Sequence, residues 1–194
     1  MTDEVPSSND FEYWERYLKD RVLELRAIQG TPWGFAAAAI LLEVLAKLER
    51  GTGSGELGKA RYVSFITKWM PKYDSFQYAQ RYITTRVWNK SKTSCKTKKR
   101  LKSLPVQMYA ILRCGLVHSY SFVTTKEQRK TGGRTRSIWL TNRVEATRNN
   151  WKHLDHFSRT EPLPEVKDAA IFVAEDFLDD LDTVIESLFS QAKE

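Results

Sequence analysis

Residues 108–122, MYAILRCGLVHSYSF, change character halfway along. The first part is apolar at helical spacing, and the end, which runs on into SYSFVTT, is β-prone. One arginine, Arg113, and one histidine, His118, stand at the join. A permanent charge and a titratable ring in so apolar a segment serve either as a polar tie inside a helical domain or as a reactive pair. The stretch also divides the chain: the residues before it read as helices, and those after it as short strands ahead of one last helix.

Upstream, Asn9 and Glu12 resemble a capping box for a long first helix with Phe11, Trp14, Leu18, Leu25 and Ile28 along one face. QGTPWG breaks that helix, and Thr31 with Pro32 opens a second. The second runs through FAAAAILLEVLAKLER to Gly51 and is apolar nearly all round, which places it at the centre of a core. A third helix spans roughly 57–70 and ends before Pro71. Asp74 and Gln77 suggest a cap for a fourth, with Phe76, Ala79, Tyr82, Ile83 and Val87 as its face. RVWNKSKTSCKTKKRLK, residues 86–102, then reads as a basic loop. A fifth helix starts near Ser103 and carries Val106, Tyr109, Ala110, Leu112 and Leu116.

Downstream, SYSFVTT and TRSIWLT flank a turn signal, so a hairpin is expected over about 119–141. AAIFV suggests another short strand, and Phe177, Leu181, Val184 and Leu188 mark a final helix over about 174–190. The fold class expected is therefore mainly α: a bundle of about five to six helices with a β-hairpin or short sheet inserted before the C-terminal helix. Residues 1–8 read as a disordered tail and 9–194 as one domain.

The chain of 194 residues carries a net charge of +7, unevenly spread. Ten acids and two lysines lie in residues 161–194, which leaves 29 basic residues against 14 acidic ones in the rest. Residues 86–102 hold eight basic residues and no acid, a field that favours polyanions. Lys90, Lys92, Lys96, Lys98, Lys99, Arg100 and Lys102 are candidates for nucleic-acid contact, with Trp88 and Tyr120 as candidate base-stacking rings. The longest apolar stretch, twelve residues from Phe35, is too short to cross a bilayer. Two cysteines suggest no disulfide framework, and a cytoplasmic protein with reduced thiols is expected.

Three patterns lose their usual meaning in context. GSGELGKA matches phosphate-loop spacing, but a charged helix end rather than a buried strand feeds it, and Ala60 stands where a magnesium-binding hydroxyl belongs. It reads as an interhelical linker. His153 and His156, with Asp155 between them, lack the further ligands that zinc requires, so no metal and no cofactor are expected. No serine or cysteine nucleophile has a readable base partner.

RCGLVH is an R-x4-H pattern near the end of a late helix. It resembles the signature of the HEPN superfamily, small helical domains whose motif is an arginine, four to six residues and a histidine. The chain is also similar to bacterial proteins of that superfamily in which RCGLVHSY is followed by a hairpin and a terminal helix like AEDFLDDLDTVIESLF, a likeness that covers nearly the whole chain. A second match, RNNWKH from Arg148 to His153, carries Asn149 where the first carries Cys114 and is closer there to the family pattern. Arg113 and His118 are preferred as the catalytic pair, because their segment is apolar and ends a helix; Arg148 and His153 are the second choice. The resemblance implies a metal-independent endoribonuclease, a toxin or phage-defence effector, that acts as a homodimer on RNA, with an antitoxin or regulatory protein as a further partner and no membrane role. The other reading is a non-catalytic helical module that binds RNA or protein, in which Arg113 caps carbonyls or pairs with a core acid such as Glu43.

Along an ideal α-helix five residues turn a side chain by about 140°, so Arg113 and His118 would not share a face if the helix ran straight. Three resolutions stay open: Gly115 loosens the helix, the helix ends before His118, or, as the resemblance implies, two subunits bring their motifs together.

Overall fold

The computed structural model describes residues 11–49, 58–74, 81–88, 91, 95–116, 138–158 and 168–192. Helix α1 (Phe11–Ala27) and helix α2 (Pro32–Leu48) form the first pair. Only part of the expected α1 face is used. Leu18 and Val22 are buried and Trp14 and Leu25 flank them, whereas Phe11 and Ile28 are exposed. The turn between the helices comes from its residues. Gly30 adopts φ +79°, open to glycine without a Cβ penalty. The Thr31 hydroxyl accepts from the Gly34 amide at 3.1 Å and so caps α2, with Pro32 in the first turn as expected. Gly34 packs on the Ile28 carbonyl so closely that a Cβ would sit 2.7 Å from its oxygen.

As its composition suggested, α2 lies in the core, with Phe35, Ala38, Ala39, Leu42 and Leu45 all buried. Helix α3 (Lys59–Trp69) ends before Pro71, but the chain goes straight into a four-residue helix, α4 (Pro71–Asp74). The phosphate-loop-like segment upstream of α3 falls mostly outside the described residues, as do the tail 1–8 and the first arm of the expected hairpin.

The largest departure lies in residues 81–102. The expected fourth helix and basic loop are instead an antiparallel ribbon, β1 (Arg81–Trp88) paired with β2 (Cys95–Lys102). The apolar spacing that suggested a helix was coincidental. Ile83, Thr84, Thr85 and Val87 are β-branched and Tyr82 and Trp88 aromatic, residues that lose freedom in a helix and suit a pleated strand. Helix α5 (Leu104–Met108) starts after Ser103 as expected, and from Tyr109 to Leu116 its winding becomes π.

A three-stranded sheet completes the fold. Strands β3 (Ile138–Thr141), β4 (His156–Ser158) and β5 (Asp168–Val173) stand in the order β3-β5-β4. β3 pairs parallel with β5 from Ile138↔Ala170 to Thr141↔Val173, and β4 pairs antiparallel with it. The second arm of the expected hairpin is thus a strand, paired with the AAIFV segment; the first arm, 119–125, lies outside the described residues. Helix α6 (Arg143–Arg148) links β3 to the turn before β4, capped by Asn142, whose Oδ1 accepts from the Glu145 amide at 2.9 Å.

Helix α7 (Ala174–Ala192) closes the chain as its spacing foretold, burying Phe177, Leu181, Val184 and Leu188. It packs against α1 and α2, giving a mainly helical domain with a small sheet before the C-terminal helix. Its acids tie it to the rest of the chain: Arg26 meets Asp179 and Asp182, Lys19 meets Glu186, Arg143 meets Asp176 and Asp179, and Lys72 meets Asp180.

Candidate functional site

The π-wound segment packs on α2, and their contact holds the charged residue that the sequence singled out. Arg113 Nε donates to Glu43 Oε2 at 2.8 Å, and its Nη2 donates to Oε1 at 3.4 Å. The two planar groups meet edge to edge, a geometry open to guanidinium and not to ammonium. Lys47, one turn along α2, places Nζ 3.3 Å from Glu43 Oε1, so one carboxylate holds two cations. Arg113 also lies 5.9 Å from the centre of the Tyr109 ring and 3.9 Å, through Nη1, from Cys114 Sγ.

The cluster is half open. The Arg113 side chain keeps 22% of its surface exposed and Glu43 keeps 12%. Burial pushes the Glu43 carboxyl up, but hydrogen bonds from Arg113 and Lys47 outweigh it and leave the group below the ordinary carboxylate range. The bond to Glu43 raises Arg113 further above its already high value. Tyr62 lies beneath, fully buried, its ring 5.4 Å from that of Tyr109 in an edge contact. Burial, then the Glu43 charge, push its hydroxyl far up, so it stays neutral. The result is a fixed cation at the surface of a core: its orientation is set by a carboxylate, and its charge does not depend on pH.

His118 and Tyr120 lie outside the described residues, as do Lys90 and Lys92. Trp88 ends β1, and Lys96, Lys98, Lys99, Arg100 and Lys102 occupy β2, so most of the candidate nucleic-acid residues belong to one ribbon rather than to a loop.

The second R-x4-H segment is built differently. Arg148 is exposed at the end of α6. His153 lies between Asn150 and Leu154, which both take positive φ, and its side chain is only 8% exposed. Its Nδ1 accepts from the Val173 amide at 3.0 Å, so the proton of the neutral ring sits on Nε2. Nε2 lies 2.9 Å from the Tyr73 hydroxyl and 3.5 Å from Asp180 Oδ2. Tyr73 donates in turn to Asp180, and Lys72 donates to the other carboxylate oxygen. Burial raises the Asp180 carboxyl, but contacts from His153, Lys72 and Tyr73 more than offset that and lower it. This chain of contacts joins α4, the turn before β4, the end of β5 and α7. For His153 to act as a base through Nδ1 it would have to give up a backbone hydrogen bond, so its geometry fits a joint in the fold.

Sequence reasoning named Glu43 as an acid for Arg113 to meet, and its signal was a lone charge in an apolar helix. It missed Lys47, four residues on, and the partners of His153. Among the described residues no group of three or more His, Cys, Asp or Glu is arranged to hold a metal ion, and no helix is long and apolar enough to cross a membrane. No family model, no curated protein and no solved structure matches the chain.

Proposed function

We propose that the chain is a metal-independent endoribonuclease in which Arg113 stabilises the reacting phosphate and His118 moves the proton. The observation that carries this reading is the winding around Arg113. Arg113 stands within the π segment Tyr109–Leu116, and π turns recur at functional sites. Within a π turn residues five apart lie closer to one face than in an α turn, and five is the spacing of the R-x4-H pattern; the described segment ends at Leu116, before His118. The clamp on Glu43 supports the same reading. A guanidinium whose rotamer is fixed before substrate arrives meets developing charge with little reorganisation.

The chemistry comes from the residue types. RNA carries its own nucleophile, the 2′-hydroxyl. A neutral imidazole accepts that proton, and an imidazolium returns one to the departing 5′-oxygen. Arginine stays charged and presents a planar fork to the phosphate oxygens. The HEPN resemblance adds that two copies of the chain share one cleft, and that the cellular setting is a toxin or phage-defence system.

The clamp also favours a second reading, a non-catalytic RNA- or protein-binding module in which the Arg113–Glu43 pair only ties α2 to the late helix. One assay separates the two. Purified protein is incubated in EDTA with an RNA and with its 2′-deoxy counterpart. The expected result is cleavage of the RNA alone, lost in His118→Ala and in Arg113→Ala; Arg113→Ala melts lower because Glu43 loses its partner, and circular dichroism at the assay temperature shows that both variants are folded. Cleavage that persists in both variants removes the pair from the chemistry. No cleavage by the intact chain of any RNA tested, structured or unstructured, favours the binding module.

A further inference from the structure

The register of the ribbon sorts its charges. Residues directly opposite each other in an antiparallel pair share a face, and so do alternate residues along each strand. One face therefore holds Lys96, Lys98, Arg100 and Lys102 of β2, with Val87, Thr85, Ile83 and Arg81 of β1 opposite them in that order. The other face holds two cations, Arg86 and Lys99, beside Tyr82, Trp88 and Leu101. No acid occurs anywhere from 81 to 102.

We propose that the five-cation face of this ribbon is a track for the phosphates of single-stranded RNA; the choice of RNA as the polyanion rests on the function proposed above. Arg81 stands directly opposite Lys102 in the register, and a like-charge pairing of that kind favours an anion over that face. The acids of α7 are engaged elsewhere: Glu175 accepts from the Arg143 amide, and Asp176, Asp179, Asp180, Asp182 and Glu186 meet Arg143, Arg26, Lys72 and Lys19. Same-face positions recur about every 7 Å along a strand, a step comparable to that between phosphates on an extended single strand. A flexible single strand can follow the face, whereas a duplex holds its phosphates on a rigid curved surface and its major groove is too narrow to admit a ribbon.

The test is equilibrium binding of a short fluorescent single strand, 2′-O-methylated so that it cannot be cleaved, over a series of salt concentrations. Each phosphate contact on a single strand contributes about 0.7 to the slope of log K against log salt. Lys96→Gln with Lys98→Gln is expected to flatten that slope by about 1.4, and Arg86→Gln with Lys99→Gln, which removes the same net charge, to leave it unchanged. Lys96→Arg with Lys98→Arg is expected to keep the full slope, which separates lost contacts from lost folding. Equal flattening by both glutamine pairs overturns the proposal, as does no flattening by either. So does tighter binding of an RNA duplex, or of anionic phospholipid vesicles, than of the single strand at the same salt. Because the probe lacks a free 2′-hydroxyl, a chain that binds as expected yet cleaves no RNA overturns the catalytic reading and leaves the track. A chain that cleaves but binds alike in both pairs does the reverse.

Discussion

Arg113 and Arg148 each stand five residues ahead of a histidine, and the fold surrounds the two segments in opposite ways. At the first, the arginine is gripped by a half-buried carboxylate and its side chain keeps 22% of its surface exposed. At the second, the arginine is exposed and the histidine is enclosed, with one ring nitrogen spent on the Val173 amide and the other beside Tyr73 and Asp180. A five-residue spacing is therefore not a site in itself. At the first the arginine is the fixed member, and at the second the histidine is. A fixed, partly exposed cation suits a transferring phosphate; a sealed imidazole suits a structural joint.

The sharpest way to break this contrast is kinetic. Arg113→Ala is expected to lower RNA cleavage by about 10²–10³-fold, the cost of losing a positioned charge at a developing anion, while Arg148→Ala leaves the rate unchanged. Equal losses would show that the second segment is also reactive. Stability gives the next largest effect. Asp180→Ala removes the shared acceptor of Tyr73, Lys72 and His153 and is expected to cost about 3 kcal/mol by urea denaturation. Glu43→Gln, which keeps the shape of the clamp without its charge, is expected to cost about 2 kcal/mol. It should also lower cleavage, because Arg113 loses its fixed aim; a full rate at reduced stability would make the clamp purely structural.

Acid pH probes both regions together. Asp180 and Glu43 are each held below their ordinary values of 3.8 and 4.5. A carboxyl lowered by folding adds stability that is fully present above its unfolded value and is lost as pH falls through its folded value. Urea midpoints are expected to be level from about pH 7 to about pH 5 as far as these two groups are concerned, then to fall below about pH 4. Asp180→Asn combined with Glu43→Gln should flatten that fall, and a midpoint that rises on acidification would contradict both assignments. The smallest effect belongs to the surface. Arg143 is more than half exposed, and Arg143→Ala is expected to cost about 0.5 kcal/mol or less despite its two acidic neighbours.

Legibility in the sequence tracked how local each signal is. Thr31 with Pro32 and the Phe177–Leu188 spacing declare the ends and faces of α2 and α7 within a few residues, and both helices stand where those signals put them. The Arg113–Glu43 pair spans seventy residues, yet it was readable because a lone acid in an apolar helix needs a partner. The ribbon was not read. Lysine-rich CKTKKRLK carries little strand propensity of its own, and its state depends on the β-branched strand opposite. The Tyr73–His153–Asp180 chain left no pattern to read, because its members come from three separate segments that meet only when β5 and α7 are in place.

The end groups of the cleaved RNA test the account most directly. Mass spectrometry of products made by the intact chain in EDTA should show 2′,3′-cyclic phosphate and 5′-hydroxyl ends, the signature of attack by the RNA's own hydroxyl. Uncleaved RNA, or products with 3′-hydroxyl and 5′-phosphate ends, would contradict it.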